Sequence, residues 1–118
     1  MERDIKPKDN LILKLSYEFA VKVIAYTEKL ESLRRYNMAN QLFRSATSIG
    51  ANVNEAQSAE SKNDFIHKMK IADKEAHETK YWLMLCNVLE SYPSIERLLN
   101  EVESINKIIG KIISTSKS

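Results

Sequence analysis

The chain has very few residues that interrupt helices or build hairpins. Its 118 residues include only two glycines and two prolines. Strands joined by tight turns depend on those residue types, so their scarcity disfavours a β-rich fold and favours long helices. At this length, residues 1–118 most simply form one domain that can bury a core without disulfides or metal ions.

The chain also has little cysteine, no long apolar run and only a small excess of positive charge. The single cysteine, Cys86, excludes an internal disulfide. No apolar run approaches the roughly 18 residues of a membrane span and no signal-peptide pattern is present, so we expect a cytoplasmic protein without a membrane partner. The formal net charge is only +2, whereas nucleic-acid binders usually concentrate lysine and arginine on one surface. Charge alone therefore gives little support for a nucleic-acid partner.

Four segments carry apolar residues at steps of three and four, which is the pattern of amphipathic helices. The predicted helices span about residues 10–33, 37–60, 62–90 and 94–113. The expected N-caps are Asp9 or Asn10, Asn37, Ser61 with Asp64, and Ser94. Four long helices with short links pack most economically as an antiparallel up-down-up-down four-helix bundle, so the predicted fold is all-α.

The first helix carries more apolar surface than one neighbour requires. Leu13, Tyr17, Ala20 and Ile24 form a second line beside its main apolar stripe. We therefore expect this helix to make a second contact, either within the bundle or with another subunit.

The second helix carries an unbroken line of hydrogen-bonding residues at helical steps. Arg44 and Glu78 each lie 17 residues from Ser61, so antiparallel helices would bring them to the same height. We therefore expect an Arg44–Glu78 ion pair in a buried or half-buried structural network. Its predicted members are Gln41, Arg44, Ser48, Asn52, Glu55 and Glu78. A polar pocket for a ligand or a nucleic-acid phosphate is the alternative interpretation.

Residue types that carry catalysis are present but unsuitably spaced. Cys86 and His77 lie nine residues apart, on opposite sides of a helix, and cannot form a dyad. Asp64 and His67 supply only part of the Glu-x-x-His pattern of a di-iron bundle. No serine triad, phosphate loop or zinc-ligand spacing occurs. We predict no catalytic residue, no metal site and no cofactor.

Basic residues near the ends of the predicted bundle are the candidate nucleic-acid contacts. Arg34, Arg35 and Arg97 would meet at one end, and Lys107 and Lys111 lie toward the other. The alternative is that these side chains are simply solvated helix ends.

Two segments, QLFRSATSIGANVNEA and FIHKMKIADKEAHETKYWL, resemble a bacterial family. Its members are four-helix-bundle proteins encoded by intervening sequences in large-subunit ribosomal RNA genes, long described as a ribosomal protein family. The resemblance extends over about residues 10–113. It implies a homo-oligomer, since relatives form ring-like pentamers. It also relates the chain to the accessory protein of diversity-generating retroelements, a basic pentameric barrel that binds nucleic acid and a reverse transcriptase.

These observations favour a non-enzymatic, self-associating helical bundle that acts as a binding or scaffold module and contacts RNA or DNA. A protein–protein interaction module with no nucleic-acid role is the alternative. Salt-dependent binding to nucleic acid separates the two hypotheses.

Overall fold

The computed structural model describes residues 10–118. These residues form four α-helices and no strand: α1 (Leu11–Ser32), α2 (Tyr36–Ala56), α3 (Lys62–Val88) and α4 (Leu98–Lys117). Each helix packs against its neighbours along the chain, and α1 closes against α4 through the least extensive of the interfaces. The predicted all-α bundle is confirmed.

Ion pairs between α2 and α3 show that these helices are antiparallel. Glu55, near the end of α2, pairs with Lys68 near the start of α3, at 3.0 Å. Arg44, earlier in α2, pairs with Glu78 later in α3. The core lies between the apolar stripes of all four helices. Its largest fully buried side chains include Phe19, Leu30, Leu42, Ile49, Met69, Leu83, Ile105 and Ile109. Burying each such side chain contributes roughly 1.5–3 kcal/mol, so these stripes supply most of the driving force for folding.

Gly50 lies where α1 and α2 approach each other. A Cβ atom built on Gly50 would lie 3.5 Å from the backbone carbonyl oxygen of Ser16. This is ordinary van der Waals contact. The glycine therefore faces the backbone of α1, and this contact fixes the height at which the two helices meet.

Two of the expected N-caps are formed by side chains. The Asn10 side-chain oxygen accepts hydrogen bonds from the backbone N–H groups of Ile12 and Leu13. Ser61 Oγ accepts one from the N–H of Asp64 at 3.0 Å, and the Asp64 carboxylate accepts one in turn from Glu60. These caps satisfy N–H groups that the first helical turn leaves unpaired. Asp9, the other candidate cap of α1, lies outside the described residues.

Asn37 is not the N-cap of α2. The helix begins one residue earlier, at Tyr36, and Arg35 occupies the cap position without a side-chain hydrogen bond. The link from α1 is closed by backbone bonds instead, from Arg35 N to the Leu30 oxygen and from Arg34 N to the Glu31 oxygen. This is a Schellman motif with Arg34 in the left-handed position, φ 64°, where glycine is usual.

The predicted boundaries of α4 are also wrong. The helix begins at Leu98, four residues after the expected cap Ser94, and continues to Lys117 instead of ending at residue 113. Glu96 adopts a left-handed conformation, φ 51°, and its N–H bonds to Ser94 Oγ. Ser94 therefore closes a turn and does not cap the helix. Similarly, α2 ends at Ala56 and not at residue 60, because Gln57, Ser58 and Ala59 bond to carbonyls three residues back.

Candidate functional site

Arg44 of α2 lies between two carboxylates of α3. Its Nη1 is 3.3 Å from Glu75 Oε1, and its Nη2 pairs with Glu78 Oε2. Trp82 Nε1 donates a hydrogen bond to the same Glu78 oxygen at 3.1 Å. Glu75 and Glu78 lie three residues apart, one turn of α3, so a single guanidinium spans both.

This cluster is at the surface and not in the core. The Arg44 side chain is 49% exposed, that of Glu78 37% and that of Glu75 21%. Of the two expectations, a buried or a half-buried network, only the second describes Arg44, whose side chain is about half covered. A line of polar residues on one helix fixes the direction in which the side chains point. It does not fix how far the neighbouring helix covers them.

The other members of the polar line do not join the Arg44 cluster. Ser48 Oγ donates to the backbone oxygen of Arg44 and Asn52 Nδ2 to that of Ser48, so both bond within α2. Glu55 pairs with Lys68 on α3. Gln41 is exposed and forms no side-chain hydrogen bond with another described residue. The residues of the polar line therefore form several separate contacts along the α2–α3 boundary and not one network.

The most enclosed polar contact between α2 and α3 involves two residues that the polar line does not include. Thr79 Oγ1 lies 2.8 Å from Ser45 Oγ, and both residues are fully buried. Ser45 lies three residues after buried Leu42, and Thr79 three residues after buried Ala76, so both occupy the apolar faces of their helices. In the sequence, the contact is indicated only by a hydroxyl residue at an apolar position on each of the two facing helices.

Cys86 is a core residue and not a nucleophile. Its side chain is buried and lies against Tyr26, whose hydroxyl donates to the Pro93 carbonyl at 2.8 Å. Burial raises the pKa of the Cys86 thiol, which disfavours the reactive thiolate. His67 and His77 are both exposed on α3. Within residues 10–118, no group of three or more metal-ligating side chains lies close enough to hold a metal ion.

The candidate basic residues are not all available to a partner. Arg35 Nη2 donates to Ser91 Oγ at 2.8 Å, and the guanidinium lies 5.5 Å from the centre of the Tyr92 ring. Arg34 is exposed in the link before α2. Arg97 lines a groove of about 290 Å³ between α1 and α4, which the Lys22–Glu101 ion pair bridges.

Lys107 and Lys111 are exposed on α4, one turn apart. They are separate from the arginines, which lie in or beside the links α1–α2 and α3–α4. The arginines lie toward one end of the bundle, whereas Lys107 lies near the middle of α4 and Lys111 one turn beyond it. That any of the five contacts nucleic acid stays a prediction.

An apolar surface is exposed where α1 and α2 meet. Tyr17 and Val21 of α1 are 47% and 54% exposed, and Phe43 of α2 is 47% exposed. Tyr17 follows Ser16, which faces Gly50, and Phe43 lies two turns before Gly50 on the same side of α2. The three side chains therefore share one face, which we call the α1–α2 surface. Of the second apolar line of α1, Leu13 is buried while Ala20 and Ile24 are half-buried.

A second exposed apolar surface follows the last turns of α3. Tyr81, Met84 and Val88 are 55%, 48% and 72% exposed, and they recur at helical steps. We call this strip the α3 surface.

The fold and these surfaces define a helical-bundle protein whose conspicuous features are surfaces and not a catalytic cleft. The model of the 23S rRNA-intervening sequence protein family matches residues 8–111, so the chain belongs to that family. A protein with unknown function from the S23 ribosomal protein family of Bacteroides thetaiotaomicron, solved as a crystal structure, is 40% identical in sequence to this chain. It superposes with a TM-score of 0.81, covering 86% of this chain and 97% of that one. No curated protein matches the sequence.

The family predicted from the two quoted segments is therefore confirmed. Neither the family nor the similar protein from Bacteroides thetaiotaomicron is described as having an enzymatic activity. No helix among the described residues is long and apolar enough to cross a membrane.

Proposed function

We propose that this chain is a non-enzymatic binding or scaffold module that associates with further copies of itself. The observation that carries the proposal is the lack of charge on α2. Between Tyr36 and Asn54 the only charged residue is Arg44, and its guanidinium is turned toward α3. Apart from Glu55 in its last turn, which pairs with Lys68 of α3, the rest of this helix offers no charged side chain to solvent. Depletion of charge together with exposed aromatic residues is typical of the centre of a protein–protein interface.

A second copy of the chain is the partner that fits this surface best. The α1–α2 surface and the α3 surface are both apolar, lie on different helices and are built from different side chains. Two unlike apolar surfaces on one chain allow head-to-tail association, in which one surface of each copy contacts the other surface of the next. This arrangement agrees with the ring-like homopentamers that the family resemblance implies.

Nucleic acid is the proposed further partner of the assembly, in keeping with the basic residues at the bundle surface. A module that binds only proteins is the second candidate, and the exposed apolar side chains of the α1–α2 surface and the α3 surface favour it. The cytoplasmic location remains a prediction from composition.

Light scattering of the purified chain tests self-association. We expect an oligomer, and we expect Phe43→Glu in the α1–α2 surface or Val88→Glu in the α3 surface to convert it to a monomer. Either charge would be desolvated in the interface at a cost of several kcal/mol. Asn100→Glu, on the exposed side of α4, is the matched control and should leave the oligomer intact.

Mixing the two variants tests the head-to-tail arrangement. Each variant retains one intact surface, so an equimolar mixture of Phe43→Glu and Val88→Glu should give a 1:1 dimer. An interface between two identical surfaces gives a different result, because one of the two variants would then associate normally by itself. A wild-type chain that remains monomeric at all concentrations would contradict the proposal.

A further inference from the structure

Four exposed lysines lie on the outer face that α3 and α4 form together. Lys70 and Lys74 are one turn apart on α3, and Lys107 and Lys111 are one turn apart on α4. Each pair is separated by about 6 Å along its helix. We call these four residues the lysine surface.

The register of α3 and α4 places the two pairs side by side. Asn106 Nδ2 donates to Asp73 Oδ1 at 2.9 Å, so these residues face each other across the interface. Lys74 follows Asp73, and Lys107 follows Asn106. Because successive side chains of an α-helix are rotated by about 100°, both lysines point outward from the interface. Because the helices are antiparallel, Lys70 and Lys111 lie on the same side of this contact, about 4.5 and 7.5 Å from its height.

Carboxylates close to these lysines in sequence are engaged by other side chains. Glu75 and Glu78 bind Arg44 on the α2 side. Asp73 bonds to Asn106 in the α3–α4 interface, and Glu103 pairs with Lys80 at 3.1 Å. The chain contains no acidic residue after Glu103.

The lysine surface is therefore cationic although the whole chain is nearly neutral. None of its four lysines forms an ion pair with another residue of the described range, 10–118. Exposed His67 and His77 flank it on α3.

We propose that the lysine surface binds the phosphate backbone of double-stranded nucleic acid. Lysine amines contact phosphates as point charges, with little dependence on base sequence. Single-strand sites normally add aromatic side chains on which bases stack. Residues 98–118 contain no aromatic residue, and the first exposed aromatic on α3, Tyr81, follows the two lysines by about two turns. The surface thus provides backbone contacts without a stacking platform, which suits a duplex.

This inference deepens the proposed function by naming the partner and its site, and it rests on that proposal only in treating the chain as a binding module. Lys107 and Lys111 are sequence-predicted contacts. Lys70 and Lys74 were missed, because only the register between α3 and α4 shows that they adjoin the other pair.

Fluorescence anisotropy with a 20-base-pair DNA duplex, the matching RNA duplex and the corresponding single strands tests the proposal. We would use the Phe43→Glu variant, so that one protomer is measured at a time. Four phosphate contacts predict a slope of about −3.6 for log K against log salt, or an affinity loss of about 150-fold between 50 and 200 mM salt. Comparison of the two duplexes shows whether RNA or DNA is preferred.

Paired substitutions locate the site. Lys70→Ala with Lys74→Ala should halve the slope, leaving a loss of about 12-fold over the same salt range, and Lys107→Ala with Lys111→Ala should do the same. Lys14→Ala with Lys29→Ala removes two exposed lysines of α1 and should leave the slope unchanged. Arg34→Ala with Arg97→Ala tests the other candidate contacts and should also leave it unchanged.

Several results would overturn the lysine surface as a duplex site. These are tighter binding of single strands than of duplexes, equal losses in the α1 control, and binding of phosphatidylglycerol vesicles or polyglutamate but of neither duplex. The result is independent of self-association, which light scattering measures. An oligomer that binds no duplex contradicts this inference alone, whereas a monomeric wild-type chain whose duplex binding depends on the four lysines contradicts only self-association.

Discussion

The hydroxyl oxygens of Ser45 and Thr79 lie 2.8 Å apart in the core, where both residues are 0% exposed. They form a polar contact between α2 and α3 that is closed to water. Thr79 Oγ1 also lies 2.8 Å from the Glu75 backbone oxygen, whereas Ser45 has only a 3.4 Å contact with the Leu42 oxygen as its other partner. The Ser45 hydroxyl therefore depends on Thr79 more than Thr79 depends on it.

This asymmetry predicts unequal effects of removing either hydroxyl. Thr79→Val leaves the Ser45 hydroxyl poorly bonded in the core and should lower the free energy of unfolding by about 2 kcal/mol. Ser45→Ala leaves Thr79 bonded to the Glu75 carbonyl and should cost about 1 kcal/mol. Urea denaturation of the single variants measures both values.

The double variant Ser45→Ala with Thr79→Val is the control for this pair. It removes both polar groups together, so its loss of stability should be smaller than the sum of the single losses. Additive losses would show that the two hydroxyls do not interact.

Arg44 should contribute less to stability than its central position suggests. Its side chain and that of Glu78 are both more than one-third exposed, so solvent screens their attraction. We expect Arg44→Ala to cost about 1 kcal/mol, against about 3 kcal/mol or more for breaking a buried pair. Thermal melts at low and high salt measure the cost, which should shrink as salt rises.

Lysine at the same position provides the comparison for Arg44. Arg44→Lys retains the charge but cannot span Glu75 and Glu78 with a planar fork, so an intermediate stability is expected. A loss above about 3 kcal/mol for Arg44→Ala, unaffected by salt, would mean that the pair behaves as a buried one.

Sequence reasoning succeeded where apolar residues repeat along an element. The steps of three and four in residues 10–113 suffice to predict four helices and their antiparallel order, because a helix must bury its apolar stripe. The links were harder to predict. Arg34 and Glu96 both adopt left-handed conformations that normally indicate glycine, so neither helix boundary carries the usual signal.

Surfaces formed by two helices were beyond the sequence pattern. The height match between Arg44 and Glu78 follows from counting residues to the link, but their exposure depends on the side chains around them. The α1–α2 surface and the lysine surface require the relative rotation of neighbouring helices. That rotation is fixed by contacts such as Gly50 with Ser16 and Asn106 with Asp73.

Gly50 should tolerate alanine. A Cβ atom there would contact the Ser16 carbonyl oxygen at 3.5 Å, without overlap, and alanine favours helix by up to about 1 kcal/mol over glycine. We expect Gly50→Ala to raise the midpoint of thermal unfolding by about 4 °C. Gly110→Ala is the matched control, since its added Cβ would lie more than 4 Å from every other helix among residues 10–118, and it should give the same gain.

A larger side chain at Gly50 distinguishes close approach from mere helix propensity. Gly50→Leu should destabilise the protein by roughly 1–3 kcal/mol, because its atoms would push against the backbone of α1. Gly110→Leu should remain neutral or stabilising. Equal effects of leucine at both positions would contradict the close packing of α1 on α2.

Alkaline pH should weaken the fold through Cys86 and Tyr26. Their side chains are only 2% and 4% exposed, and burial raises the pKa of both groups above its ordinary value of 9.0 for the thiol and 10.0 for the phenol. Below about pH 8 both groups are protonated in the folded and unfolded chains, so neither makes stability depend on pH. As the pH rises above about 8, the unfolded chain loses these protons first and the free energy of unfolding falls.

Urea denaturation between pH 7 and pH 11 measures this decline. Cys86→Ala should remove the part that begins near pH 8, and Tyr26→Phe the part that begins near pH 9, although each variant also loses stability at pH 7 through its missing atoms. The pH dependence, and not the absolute stability, is therefore the diagnostic quantity. A Cys86→Ala profile parallel to that of the wild-type chain throughout this range would show that the thiol titrates equally in both states, against its burial beside Tyr26.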